Sequence, residues 1–265
     1  DLVEYILLLL VVGAAWAVAL AINDRRVRAC DGSGNPEQDI VVFVEALRWL
    51  FIVWGFPRFC RGLRRGGCQQ QVRLFRWSGS AGALLVLPDY LCRHRLLTKA
   101  RRLARFLDEL AERHPGRTIH LVGYSTGGFL VLEALKRLRH PVPVGEVILL
   151  AGALSPYYHT HELSDRARRV HNFYSYRDFL ISGLAPLVFG SNDGRRGLAC
   201  GMVGFRPQHS ASRPEFVIQH PWSTSAIRLG YFGDHFSITS SAFVARRIAP
   251  LVAGPSDLST ATGDT

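Results

Sequence analysis

The chain has 265 residues, of which 48% are hydrophobic and 20% charged, enough for one large α/β domain or two small ones with a packed core. Its formal net charge of +11 suits nucleic acid or an anionic membrane surface as a partner. The sequence contains no zinc-finger spacing, no aromatic–basic RNA-binding signature and no continuous basic helix, which argues against nucleic acid.

The first feature along the chain is the apolar run Tyr5–Ile22, which as a helix would be about 27 Å long and could cross the hydrocarbon core of a bilayer. The charged residues that precede this run, Asp1 and Glu4, are both acidic, unlike the basic start of a signal peptide. Basic residues follow it at Arg25, Arg26 and Arg28. By the positive-inside rule, we expect a single-pass membrane protein with the rest of the chain in the cytoplasm. A buried core helix is the alternative.

A polar linker over Asp31–Gln38 leads into a second apolar region with two possible structures. In the first, Ile40–Val44 is a buried strand, followed by a helix through Arg61. In the second, Ile40–Phe56 is an amphipathic helix lying on an anionic membrane. We favour the strand, because a parallel sheet needs neighbours for its central strands. In either structure, the following arginines are candidates for contact with membrane lipid: Arg58, Arg61, Arg64 and Arg65.

The remaining pattern alternates short β-type runs with helical ones. We expect strands at Val72–Trp77, Val144–Ala151, Arg169–Tyr174 and Pro214–Gln219. Apolar residues recur at helical spacing over Leu96–Leu110 and Thr239–Leu251. This order predicts an α/β fold with a mostly parallel sheet and helices on both faces.

The chain is centred on Thr118–Leu132. Thr118–Val122 is β-branched and apolar, Gly123–Gly127 matches G-x-S-x-G, and an amphipathic helical pattern follows. A strand, a sharp turn with Ser125 at its tip and a helix form the context of a nucleophile elbow. The helix N-terminus would direct partial positive charge at a developing oxyanion. The alternative is a glycine-rich turn with a surface serine.

A serine hydroxyl needs a base to remove its proton and an anion to orient that base. Asp178 follows the Arg169–Tyr174 strand, where sites collect in open α/β sheets, and His235 lies in a glycine-containing loop before the last helix. Three competing residues fit structural roles better: Asp193 in a turn, Asp234 beside the histidine and His171 within a strand.

The segments GYSTGG, YSYRDFL and GDHFSI, in that order, resemble the α/β-hydrolase superfamily over about Ile40 to Leu251. The resemblance implies an eight-stranded or reduced sheet and hydrolytic or acyl-transfer chemistry. It also implies Ser125 as nucleophile, His235 as general base and then acid, and Asp178 as orienting carboxylate. The backbone N–H of Thr126, after the nucleophile, would be one oxyanion donor.

The sequence departs from this superfamily at the second oxyanion donor. Many members have His-Gly after an early strand, where this chain has Val44-Glu45-Ala46-Leu47. The N–H of Ala46 is our candidate for the donor, and Ser78, after the Val72–Trp77 strand, is its rival.

Five widely spaced cysteines show neither C-x-x-C nor metal-ligand spacing. We expect free thiols in a reducing compartment, with a Cys60–Cys68 bridge as the alternative. No metal or organic cofactor is expected.

These patterns predict a membrane anchor (1–24), a linker (25–39), an α/β-hydrolase domain (40–252) and a disordered tail (253–265). The expected function is a membrane-tethered, esterase- or lipase-like serine hydrolase. It would cleave a carboxylic ester or related acyl compound, either a small molecule or a lipid. The alternative is a catalytically inactive hydrolase fold that serves as a membrane-anchored binding or scaffold protein.

Overall fold

The computed structural model describes residues 2–47, 52–78, 92–206 and 214–253. Almost all of the predicted tail lies outside these ranges. The strands are β1 (Asn35–Val44), β2 (Gln70–Phe75), β3 (Ile119–Tyr124), β4 (Val144–Leu150), β5 (Arg169–Tyr174) and β6 (Val217–Pro221). The longer α-helices are α1 (Leu2–Cys30), α2 (Phe56–Arg65), α3 (Arg93–Arg113) and α4 (Thr126–Leu135).

Shorter helical segments fill the second half of the chain. The α-helical ones are α5 (Ala185–Phe189), α6 (Cys200–Val203), α7 (Ser241–Phe243) and α8 (Ala249–Val252). The π-helical turns are Phe179–Leu184, which leads into α5, and Val244–Ile248, which joins α7 to α8. The 3₁₀ turns are Thr160–Leu163, Pro214–Phe216, Thr224–Leu229 and Ser237–Thr239.

The strands form a six-stranded sheet in the order β2-β1-β3-β4-β5-β6, and every pairing is parallel. From β1 the chain first adds β2 on one side and then β3 on the other. The strand order therefore reverses at β1 and β3, where Val44 pairs with Gly123 at their carboxyl ends. In open α/β sheets, ligands bind in the crevice that such a reversal creates.

Both faces of the sheet are covered. Alternate residues of β1 point to opposite sides: Val42 packs in the core formed with α3 and α4, and Phe43 in the core formed with α2 and the C-terminal helical segment. A strand buried on both sides is continuously apolar, which is the pattern that Ile40–Val44 displays. The predicted fold class, a mostly parallel sheet between helices, is confirmed.

The amino-terminal region differs in detail from the predicted segments. Helix α1 continues through the arginines to Cys30, beyond the predicted anchor end at residue 24, and its Val27 is buried in the α2 core. Strand β1 begins at Asn35, inside the predicted linker. The apolar part of α1, which is not buried in the domain, is long and apolar enough to cross a membrane. Secretory signal sequences share this length and composition.

One of the four arginines expected at the membrane is used inside the domain. The Arg64 guanidinium donates to Cys68 O at 2.6 Å and Gln70 O at 3.0 Å, and so ties the end of α2 to β2. Arg58, Arg61 and Arg65 are exposed.

Cys60 and Cys68 do not form the alternative disulfide. The thiol of Cys68 donates instead to Ala249 O at 3.3 Å.

Candidate active site

Ser125 lies at the turn between β3 and α4, at the carboxyl edge of the sheet. Its backbone has φ 55° and ψ −119°, a conformation that L-residues rarely adopt. Backbone hydrogen bonds hold it there: Ser125 N donates to Leu150 O at 2.9 Å, and Ser125 O accepts from Ala153 N at 3.2 Å. Strain of this kind persists only where surrounding structure enforces it, and it is frequent at catalytic residues.

The two glycines of the motif permit close backbone contacts around Ser125. A Cβ on Gly127 would lie 2.2 Å from Val44 O, at the end of β1, and a Cβ on Gly123 would lie 2.6 Å from Gly128 Cα. Neither contact could accommodate a methyl group, because the obstacle in each case is backbone. The glycines of G-x-S-x-G are therefore required by the packing of α4 against β3 and β1.

Asp178 and His235, far apart in the sequence, meet at this edge of the sheet. Asp178 follows β5, and its Oδ2 lies 2.6 Å from His235 Nδ1. Both side chains are almost fully buried, with 3% and 7% of their surface exposed. Asp178 is held by Ser182, whose hydroxyl donates to Oδ2 at 2.6 Å and whose N–H approaches Oδ1 at 3.4 Å.

Tyr124, which directly precedes Ser125, connects the histidine to the elbow. Its hydroxyl donates to His235 O at 2.8 Å, and the two rings stack at a centroid distance of 5.4 Å. Burial, reinforced by the carboxylates of Glu45 and Asp178, raises the pKa of the Tyr124 phenol well above its ordinary value. The phenol therefore stays protonated and donates, which holds the His235 loop against the residue next to Ser125.

Among the residues that the structure describes, Ser125 Oγ forms no hydrogen bond with His235. The structure therefore pairs the histidine with the acid and brings the histidine's loop to the elbow, but does not show the serine–histidine bond. In ligand-free enzymes, catalytic hydrogen bonds are often long and tighten only in the substrate complex.

The loop after β1 has a different arrangement from the one expected for an oxyanion donor. The N–H of Ala46 donates to Glu45 Oε1 at 3.1 Å, so it is already engaged. The buried Glu45 carboxylate also accepts from Gly55 N at 3.3 Å and Phe56 N at 3.0 Å, at the start of α2. In this conformation Ala46 does not fit the donor role, because its hydrogen bond to the carboxylate uses the N–H an oxyanion would need.

The other two oxyanion candidates remain compatible with the geometry. Thr126 is the first residue of α4, where N–H groups have no partner within the helix. Ser78 is half-buried and follows Trp77, whose indole N–H donates to Glu45 O at 2.6 Å. Ser78 therefore lies beside the same loop.

The competing acids and histidine have structural partners. Asp193 accepts from Ser155 N at 2.8 Å and from Ser191 Oγ at 2.6 Å. Asp234 accepts from Phe236 N and Ser237 N, both at 2.9 Å, and so shapes the turn after His235. His171 lies between Glu146, at 2.9 Å, and His220, at 3.0 Å.

A further group of potential metal ligands lies after β4. Ligand atoms of His159, His161 and Glu162 are within 4.8 Å of one another. The Glu162 carboxylate is also paired with Lys136 Nζ at 2.8 Å, and His159 is exposed. An ammonium group in contact with the carboxylate disfavours a cation there.

Comparison with known proteins finds structural neighbours only. No protein-family model and no curated protein matches the sequence. A Trichoderma reesei cutinase in complex with a phosphonate inhibitor is 15% identical, with 91% of this chain and 90% of that chain covered and a TM-score of 0.42. A lipase-esterase related protein from Clostridium acetobutylicum is 15% identical, with coverages of 83% and 97% and a TM-score of 0.46. The Bacillus licheniformis lipase BlEst2 is 14% identical, with coverages of 84% and 96% and a TM-score of 0.47.

By their names these neighbours are a cutinase, a lipase-esterase related protein and a lipase, and the resemblance concerns the fold. At such identities, evidence for chemistry has to come from the side chains of this chain.

Proposed function

We propose that the protein is a membrane-tethered serine hydrolase that cleaves a carboxylic ester or related acyl compound through an acyl-serine intermediate. The observation that supports this most strongly is the buried 2.6 Å contact between Asp178 and His235, on a loop that Tyr124 joins to the Ser125 elbow. A histidine oriented by a carboxylate beside a serine on a strand-to-helix turn is the arrangement that activates a hydroxyl.

In this mechanism, Asp178 binds Nδ1 of His235 and leaves Nε2 to act as the base. Nε2 takes the Ser125 hydroxyl proton as Oγ attacks the acyl carbonyl, and the resulting oxyanion binds the Thr126 N–H at the start of α4. The leaving alcohol receives the proton from His235, and Ser125 is acylated. Water, deprotonated by His235, then attacks the acyl group and releases the acid and the free serine.

The membrane attachment in this proposal depends on α1. We propose that its apolar part is retained as a single-pass anchor at residues 1–24 and that the hydrolase domain, residues 40–252, lies on the cytoplasmic side. Arg58, Arg61 and Arg65 are exposed and available for anionic lipid, whereas Arg64 serves the domain interior. An anchor of this kind suits a lipophilic acyl substrate.

The test is ester hydrolysis by the purified full chain in detergent micelles, over a series of p-nitrophenyl esters of increasing chain length. We expect turnover that falls by about 10⁴-fold or more in Ser125→Ala, because the nucleophile and its base act as a unit. Circular dichroism would show that the variant is folded. A folded wild-type chain without turnover on any ester, or equal turnover in Ser125→Ala, would overturn the proposal.

A second candidate function is a catalytically inactive, membrane-anchored scaffold. The observation that favours it is the engaged N–H of Ala46, since this leaves the site without an assigned second oxyanion donor. A scaffold would show no turnover and no change on Ser125→Ala, so the same experiment separates the two functions.

A further inference from the structure

The segment that follows Asp178 exposes an unusual amount of apolar surface. Leu180 is 70% exposed, Phe179 53% and Phe189 51%. The other exposed apolar residues of this segment are Ile181, Leu184, Leu187 and Val188. Soluble surfaces rarely collect large apolar side chains in this way, and contiguous patches mark contact with a partner or a membrane.

A second exposed apolar group lies around His235. Phe232 and Phe236 of the histidine loop are exposed, and the Phe236 ring lies 6.0 Å from that of the exposed Trp54. Apolar side chains therefore flank both the acid and the histidine. We call these two groups together the apolar rim, formed by Trp54, Phe232, Phe236 and the exposed apolar residues from Phe179 to Phe189.

The candidate membrane helix leaves the domain next to this rim. Asn23 of α1 donates to Val53 O at 3.0 Å, and Val53 N donates back to the Asn23 side chain at 3.1 Å. Val53 directly precedes Trp54, which is part of the rim. The exposed apolar part of α1 ends just before Asn23, so a bilayer that holds this helix would begin beside Trp54.

Exposed arginines near the end of α1 and near the apolar rim favour lipid over another protein as the partner that covers the rim. Arg25, Arg26 and Arg28 follow the apolar part of α1 directly, Arg58 is exposed near the start of α2, and Arg177 is exposed directly before Asp178. Arginines near a membrane surface are attracted by its anionic lipids. Tryptophan and phenylalanine at the border between an apolar helix and charged residues fit the membrane interface.

We propose that the apolar rim rests on the bilayer that α1 spans, so that the Ser125 site opens onto the lipid and takes its acyl substrate from the membrane. The substrate class is then an ester of a long-chain fatty acid embedded in the bilayer. The choice of substrate rests on the proposed hydrolase function, whereas the docking of the rim does not.

Docking is tested with the full chain in vesicles of phosphatidylcholine that contain a minor fraction of phosphatidylglycerol. The photoreactive residue p-benzoylphenylalanine replaces Phe189 of the rim in one variant and Thr98, exposed on α3, in a matched control. We expect a phospholipid adduct, detected by mass spectrometry, at position 189 and none at position 98. Cross-links at 189 to a second copy of the chain, no lipid adduct there, or equal adducts at both positions would overturn the proposal.

Substrate delivery is tested separately with Leu180→Asp, against Thr98→Asp as control. A carboxylate on the rim should lower hydrolysis of a vesicle-embedded long-chain ester by about tenfold or more, because it opposes burial at the interface, and leave hydrolysis of a soluble short-chain ester unchanged. Equal loss on both esters, or no loss on either, would overturn delivery from the bilayer. A lipid adduct at 189 without hydrolysis of any ester would refute the hydrolase function and leave the docking intact.

Discussion

The two sides of the candidate site are built differently. On the inner side, Ser125 lies among backbone groups of β1, β3 and α4 that leave no room for a methyl group at Gly127. On the outer side, buried polar groups alternate with exposed apolar neighbours: Asp178 precedes exposed Phe179, and His235 precedes exposed Phe236. Substitutions on the inner side should therefore destabilise the fold. The outer loops can instead hold the buried Asp178 and His235 in place and present apolar side chains at the surface.

Within this comparison, the largest effect on activity should come from removing the charge of Asp178 on the outer side. Asp178→Asn should lower kcat by about 10³–10⁴-fold with little change in stability, because an amide favours the wrong tautomer of His235. Steady-state ester hydrolysis and thermal unfolding in detergent measure the two quantities.

The matched control is Ser182→Ala, which removes the second hydrogen bond to the same Asp178 oxygen. The loss of kcat in this variant should be about tenfold or less, since Asp178 keeps its charge and its hydrogen bond to His235. Equal losses in the two variants would contradict the role of Asp178 as the orienting anion.

On the inner side, a single added methyl group should destabilise the domain. Gly127→Ala should destabilise the domain by about 3 kcal/mol or more, because the new Cβ meets Val44 O, which is backbone and cannot move freely. Gly128→Ala is the control, with a Cβ 3.5 Å from the flexible Leu149 side chain, and its effect should be within about 1 kcal/mol. Chemical denaturation in detergent compares the two, and equal effects would refute the close-packing account of the motif.

Substitutions of Glu45 test whether the loop after β1 is part of the closely packed inner side. Glu45→Ala removes the acceptor of three backbone N–H groups and should cost about 1–3 kcal/mol of unfolding free energy. Glu45→Gln keeps one oxygen acceptor and should cost less. The Ala variant also frees the N–H of Ala46, so a higher rate per folded molecule in Glu45→Ala would identify Ala46 as the second oxyanion donor.

The smallest expected effect concerns His220, away from both sides of the site. Burial, together with the neighbouring His171 and Arg247, lowers the pKa of His220 from 6.5 to about 4. Between these two values the unfolded chain binds a proton that the folded chain does not, so stability should fall as the pH drops through this window. His220→Gln should show a flatter dependence of the unfolding midpoint on pH, and an unchanged slope would contradict this assignment.

Local patterns were enough to predict much of this structure. The continuous apolar run of Ile40–Val44 indicated a strand buried on both faces, and G-x-S-x-G between a strand and a helical pattern located the Ser125 turn. The positions of Asp178 and His235 after late elements indicated that they would meet at the carboxyl edge of the sheet.

The missed features depend on contacts between distant parts of the chain. Tyr124 reaches a carbonyl 111 positions away, although it occupies a variable position of its motif. The Glu45 carboxylate is held next to the N–H of Ala46 because the start of α2 folds back towards it. There Phe56 N, 11 positions along the chain, donates to the same carboxylate. Helix α1 continues beyond its apolar run because Val27 packs in the core that includes α2. None of these contacts leaves a periodic trace in the sequence.

The central claim, that Ser125 is an activated nucleophile, is tested most directly with a fluorophosphonate probe on the folded full chain, followed by peptide mapping. We predict one stoichiometric adduct on the peptide that contains Ser125, slower labelling in Asp178→Asn and none in Ser125→Ala. A folded chain that does not react, or an adduct that persists in Ser125→Ala, would contradict it.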